Sequence, residues 1–217
     1  MSTDKEKYYE PLKLMTPIRY QYMKKIILNK KNASMDDVFI GKNILDIGTG
    51  TGEYLDIFKD LKANCIGIDS INNFKIKKNK NFKLIKVDLF KYLRKAPKNY
   101  FDFIFCFEVI EHLEEKDEIF KLIKKTLKNK GILFMSTINQ NPVSKLFAIK
   151  LAEDILKILP KKTHEYNLLL PINKLESLCN DNKLSIIDIT GLRYNPLFKN
   201  FNFSNNQLVN YITAIEN

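Results

Sequence analysis

A chain of 217 residues with 45% hydrophobic and 28% charged side chains can bury one substantial core, which excludes a fibrous or disordered polypeptide and argues for one domain with decorations. Its formal charge of +11 is carried almost wholly by lysine, with Arg19, Arg94 and Arg193 as the arginines. Nucleic-acid reading leans on arginine forks, so no nucleic-acid partner is expected, and an anionic membrane surface serves the charge equally well. Cys65, Cys106 and Cys179 form no C-x-x-C pair and read as buried free thiols in a reducing compartment. No apolar run is long enough to span a bilayer, and Asp4, Glu6 and Glu10 make the first residues a poor signal or transit peptide.

In chain order, Pro17 sits at the first turn of a helix expected from about Pro17 to Leu28, with Ile18, Tyr22, Met23 and Ile26 recurring at helical spacing and Arg19 on a different face. Asn29 to Gly41 reads as a linker. Ile44 to Ile47 is a buried strand that runs into Gly48, Gly50 and Gly52, then into a helical pattern with Leu55 and Phe58 inward. Alternate glycines between strand and helix let the backbone take positive φ and approach a nucleotide closely, while the helix start offers unpaired N–H groups. The dinucleotide fingerprint would need glycine where this chain has Glu53. Asp46, two before the first glycine, and the G-x-G-x-G spacing instead resemble motif I of class I S-adenosylmethionine-dependent methyltransferases.

Cys65 to Asp69 is a second strand ending in an acid that can accept both ribose hydroxyls of a nucleoside. Phe82 to Val87 is a third, followed by Asp88, placed to bond an adenine amino group. Phe101 to Phe107 is apolar enough to be central. Asp117 to Lys128 is an amphipathic helix with Gly131 as its cap, Ile132 to Thr137 strand five, Pro171 to Cys179 a helix, Leu184 to Ile189 strand six and Tyr211 to Ile215 strand seven. Gly191 to Asn206 reads as a long loop, and a long loop in a compact domain is usually functional. Strands alternating with helices predict a Rossmann-like α/β fold: a seven-stranded, mostly parallel sheet with helices on both faces and its site at the strand C-termini.

Two stretches stand apart from this alternation. Glu108, Glu111 and His112 fall at i, i+3 and i+4, so on an α-helical turn they share one face, and two carboxylates with an imidazole suit Mg²⁺ or Mn²⁺. His164 could reach the same edge. From about 139 to 170 the pattern becomes a helical insertion, with Val143, Phe147, Leu151, Ile155 and Leu159 on one stripe, further apolar residues beside it and lysines at its borders. It is either a core element or lid, or an interfacial helix that docks on a membrane.

With EVIEHL, STINQNPVSKLFAIKLAEDILKILPKKTHEY, LLLPINKL, GLRYNPL and NYITAIEN, the chain resembles the ubiquinone-biosynthesis O-methyltransferase family over essentially its whole C-terminal half, and PLKLMTPIRYQYM extends the likeness upstream. The resemblance implies S-adenosylmethionine as cofactor, with Arg19, Gly48, Asp69 and Phe107 at cofactor-binding positions and Glu108, Glu111 and His112 at divalent-metal positions. It implies methyl transfer to a phenolic oxygen of a polyprenylated catechol or hydroquinol. It also implies a cytoplasmic enzyme peripheral on the inner membrane (the matrix side of mitochondria in a eukaryote), with other proteins of the pathway as possible partners. The family's Trp-Trp-Asp stretch is missing, since the chain has no tryptophan, and Ser70 to Asn81 is shorter and more basic than the family's helix there.

A phenol with pKa near 10 is protonated at pH 7, so a metal on Glu108, Glu111 and His112 would favour the phenolate, and His112 as a metal-free general base is the simpler variant. Two alternatives remain open. One is 2′-O-methylation of small RNA, whose enzymes use a similar E-x-x-E-H cluster; the other is a non-catalytic cofactor-binding subunit of a lipid-biosynthesis assembly.

Overall fold

The computed structural model describes residues 13–30, 35–58, 60–75, 81–145, 166–195 and 197–217. Eight strands form one sheet: β1 Asn43–Ile47, β2 Asn64–Asp69, β3 Phe82–Lys86, β4 Phe101–Phe107, β5 Leu127–Ile138, β6 Ser185–Asn195, β7 Asn200–Ser204 and β8 Asn210–Glu216. Their order is β3-β2-β1-β4-β5-β8-β6-β7. From β3 to β5 every pairing is parallel, and β8, β6 and β7 add antiparallel pairings. The chain moves outward from β1 to β3 and then returns to place β4 on the other side of β1. That reversal opens a crevice at the C-terminal ends of β1 and β4, where open α/β sheets bind ligands.

Period-2 alternation along the central strands divides the core between the two faces. Phe103, Phe105 and Phe107 of β4 turn to one face, packing with Tyr22, Met23, Phe39, Tyr54 and Phe58. Ile104 and Cys106 turn to the other, beneath Phe120, Ile123, Leu175 and Leu178. On the first face the rings form a run: Phe58 stacks on Phe105 at 5.2 Å, Phe105 on Phe107 at 5.7 Å, and Tyr54 meets Phe107 edge-on at 4.9 Å. Such pairs add about 0.5–1.5 kcal/mol each beyond their burial. They also carry the Phe107 ring to the edge of the crevice. The three cysteines are buried free thiols, and burial pushes Cys65 and Cys179 up to about 12. No described helix is long and apolar enough to cross a membrane.

Four expectations are corrected. The supposed linker contains a helix, Met35–Phe39, in which Val38 and Phe39 are buried; five residues are too few to show a helical period. The helix before β5 is Lys116–Thr126, and Leu127 is already extended, so Gly131 is no cap. Gly131 lies within β5, where a Cβ would come 2.8 Å from the Lys128 carbonyl. The expected loop from Gly191 is instead the continuation of β6 to Asn195 and its hairpin with β7, which makes eight strands in place of seven. Gly191 is needed there because a Cβ would meet the Asn206 carbonyl at 1.9 Å.

Candidate active site

All three glycines of the β1 turn take positive φ: Gly48 at 71°, Gly50 at 56° and Gly52 at 84°. The Gly48 and Thr49 amides donate to the Ile68 carbonyl, at 2.9 and 3.0 Å, fastening the turn to β2. Asp69, at the end of β2, clamps it further: Oδ2 accepts from the Gly50 amide at 2.9 Å and Oδ1 from the Ile71 amide at 2.8 Å. A carboxylate oxygen that accepts one such bond keeps a lone pair for another donor. Beside the turn lies a cavity of about 80 Å³ lined by Arg19, Asp46, Gly48, Thr49 and Phe107, among others.

Two buried charges face this cavity. Asp46 is 4% exposed, and burial pushes its carboxyl up to about 7 despite the nearby Arg19 charge. Arg19 comes from the helix Thr16–Lys30 and is 6% exposed. Its guanidinium lies 4.8 Å above the Phe107 ring, and Nη2 reaches Glu108 Oε1 at 3.4 Å and donates to Ser136 Oγ at 3.4 Å. Its Nε is buried with no hydrogen-bond partner. A buried, unpaired donor on a cation leaves its desolvation uncompensated, and an anionic ligand group would repair it.

Next to Phe107 stands a pair of acids. Glu108 follows β4 with φ 53°, a left-handed backbone that costs a non-glycine residue about 1–3 kcal/mol and clusters at functional sites. It is held by its amide to the Ser136 carbonyl at 3.0 Å and by Ser136 Oγ donating to Oε1 at 2.5 Å. Glu111 is fully buried in the 3₁₀ turn Ile110–His112, its Oε2 accepting from Thr137 Oγ1 at 3.0 Å while Oε1 has no partner. Burial, and then the Glu108 charge, hold the Glu111 carboxyl well above the usual carboxylate range.

A family model described as a methyltransferase domain matches residues 20–208. The ubiquinone biosynthesis O-methyltransferase of Pelagibacter ubique is 34% identical over 94% of this chain and 88% of its own length. The chain belongs to this O-methyltransferase family. The enzyme of the same name from Aliivibrio fischeri is 30% identical over 96% of this chain and 88% of its own length. A solved S-adenosylmethionine-dependent methyltransferase from Archaeoglobus fulgidus matches in fold, with TM-score 0.55 and 21% identity over 82% of this chain and 86% of that one.

In this methyltransferase Arg19, Asp46, Gly48, Gly50 and Phe107 converge on the cavity, with Gly52 and Asp69 shaping its turn. Arg19 is turned inward to the site, beside the core face of its helix. Asp88 lies outside that lining: it is exposed and caps the helix Leu89–Lys95 by accepting from the Lys91 amide at 2.8 Å. Glu108, Glu111 and His112 do not share one face, because Glu108 is left-handed, the turn is 3₁₀, and His112 is exposed while Glu111 is buried. No group of three or more His, Cys, Asp or Glu side chains among the described residues could hold a metal. His164 and the stripe from Phe147 to Leu159 lie outside the described residues. Ser136 and Thr137 went unnoticed in sequence, although two hydroxyls ending the apolar run of β5 beside an acidic strand end were a usable signal.

Proposed function

We propose that the protein transfers the sulfonium methyl group of S-adenosylmethionine to a phenolic hydroxyl of a polyprenylated catechol or hydroquinol, an intermediate of ubiquinone biosynthesis. The observation that carries this reading is the juxtaposition, at one crevice, of a glycine-turn cavity with two buried opposite charges and a carboxyl pair. The cofactor's carboxylate would meet the unpartnered Nε of Arg19, its ammonium Asp46, and its ribose the remaining lone pairs of Asp69. Asp88, beyond the lining, would border the adenine. In the transfer an oxygen lone pair of the phenolate forms the new C–O bond as the C–S bond breaks, leaving a neutral thioether.

The methyl donor is already activated, so the protein's task is to align oxygen, carbon and sulfur and to accept the phenol proton. Glu108, next to Phe107 and fixed by Ser136, would accept that proton, and exposed His112 would relay it to solvent.

Magnesium is part of the proposal. Glu108 and Glu111 fit a hard cation, since Glu111 Oε1 is buried without a partner and the Glu108 charge opposes ionisation of Glu111 until a cation offsets it. A bound divalent ion would lower the phenol's pKa. The excess of lysine supports attachment to an anionic membrane, and on this reading the enzyme would work peripherally at the inner membrane, within reach of other pathway enzymes. The test is incorporation of a labelled methyl group into a short-tailed catechol.

A further inference from the structure

We propose that the tip of the β6–β7 hairpin is a membrane anchor that inserts Leu197 and Phe198 into an anionic lipid surface at the mouth of the active site. This deepens, and rests on, the reading of the substrate as a lipid. Strand direction sets where the tip lies. β6 runs antiparallel to β8, and β8 antiparallel to β5, so β6 points the same way as β4 and β5, toward the edge that carries the glycine turn. Register gives the height: Phe107 pairs with Ser136, Ser136 with Ile212 and Ile212 with Thr190, so Thr190 is level with the end of β4. β6 then continues from Thr190 to Asn195, about 16 Å further along at about 3.3 Å per residue. The hairpin tip therefore rises above the rim of the crevice.

The tip is built, not frayed. Asn195 Oδ1 accepts from the Leu197 amide at 3.0 Å and the Phe198 amide at 3.3 Å, fixing the turn through its own side chain. Below it, Tyr194 and Phe201 pair across the strands with ring centres 5.2 Å apart. On this braced turn Leu197 is 81% exposed and Phe198 70%, the two most exposed large apolar side chains among the described residues. Exposed Lys199 and Arg193 flank them. Val143 and Leu208 are also exposed on this rim, brought together by Asn141 Nδ2 donating to the Leu208 carbonyl at 2.6 Å.

Charge selects the occupant. A leucine and a phenylalanine bordered by cations, on a chain of formal charge +11, match a surface that offers negative headgroups above hydrocarbon. A second copy of the chain would bring the same cations against these. Docking by the tip would hold the crevice mouth toward the bilayer, so that a quinol head group could reach the cofactor while its tail stays in lipid.

The chain has no tryptophan, so Phe198→Trp supplies a single fluorophore at the tip. In full-length protein its emission is expected to shift to the blue, and to be quenched by brominated acyl chains, on vesicles containing phosphatidylglycerol but not on pure phosphatidylcholine. Leu197→Ser/Phe198→Ser should lower partition onto the anionic vesicles about tenfold or more. It should leave the melting temperature and transfer to a water-soluble catechol unchanged. An unshifted, unquenched tryptophan would overturn the proposal. So would a lower melting temperature in the double variant, which would mean the tip packs on another part of the chain. A native dimer that the double variant dissolves would assign the tip to a second copy instead. A native chain inactive on the soluble catechol would fault the substrate reading while leaving the vesicle result to stand.

Discussion

Gly48→Ala separates two reasons for a glycine that usually act together. At Gly48 φ is +71°, and an added Cβ would lie 2.3 Å from Val109 Cγ2. At Gly41 φ is +68°, with nothing within 4 Å of the added atom. Left-handed backbone costs an alanine about 1–2 kcal/mol at either position, and crowding a packed side chain adds about 1–3 kcal/mol at Gly48 alone. Taking about 1.5 and about 3.5 kcal/mol, and about 3 °C per kcal/mol for a domain of this size, Gly41→Ala should melt about 4 °C below native and Gly48→Ala about 10 °C below. Both should still fold, given stabilities of about 5–15 kcal/mol. Val109 separates Glu108 from Ile110, so displacing it also disturbs the carboxyl pair. Gly48→Ala should bind S-adenosylmethionine about tenfold or more weakly, and Gly41→Ala like native, since Gly41 lies at the opposite end of β1. Thermal melts and calorimetric titration of both variants are the assay. Equal melting temperatures, or unaltered cofactor affinity in Gly48→Ala, would mean that the Val109 contact does not require glycine at this turn.

Three further outcomes are expected. The Asp46 carboxyl is near 7 when folded against about 3.9 unfolded, so the folded state holds more protons between these values and stability falls as pH rises from about 4 to about 7. Asp46→Asn should flatten that slope in thermal melts, and in the native enzyme the cofactor's ammonium should bind more tightly as pH rises through about 7. Tyr22 donates to the Asp188 carboxylate at 2.8 Å one turn along the helix from Arg19, so Tyr22→Phe should cost about 1–2 kcal/mol in chemical denaturation and raise KM for the cofactor more than it lowers kcat. Chelation should suppress turnover without unfolding, and Glu111→Gln should abolish the calorimetric signal of magnesium titrated into the native protein; full turnover in excess chelator would remove the metal from the account.

Much of this was legible in the sequence because the parallel strands are buried on both faces and read as short apolar runs: β1, β2, β3 and β4 lie within a residue or so of where their patterns end. The glycine turn was legible for a related reason, as positive φ at three alternate positions leaves few other residue types. What escaped depends on contacts remote in sequence. Gly131 and Gly191 look like helix and loop punctuation, yet each is small because a carbonyl passes close by. The carboxyl cluster has an α-helical spacing that a left-handed Glu108 does not permit, and the inward turn of Arg19 is set by Phe107, Glu108 and Ser136, all far along the chain. Asp69 is legible as an acid ending β2 but not as the clamp of the glycine turn.

Methyl transfer from this cavity to a phenolic oxygen is reached directly by one measurement: S-adenosylmethionine labelled in its methyl group, incubated with native protein and either a short-tailed catechol or an RNA duplex, with the products separated and the labelled position assigned by NMR. The expected result is a labelled aryl methyl ether formed in step with S-adenosylhomocysteine, lost in Asp69→Ala through a cofactor affinity weakened by on the order of 2–4 kcal/mol, and no label in RNA. Label in the ribose of the duplex, or bound cofactor that transfers its methyl to neither acceptor, would contradict it.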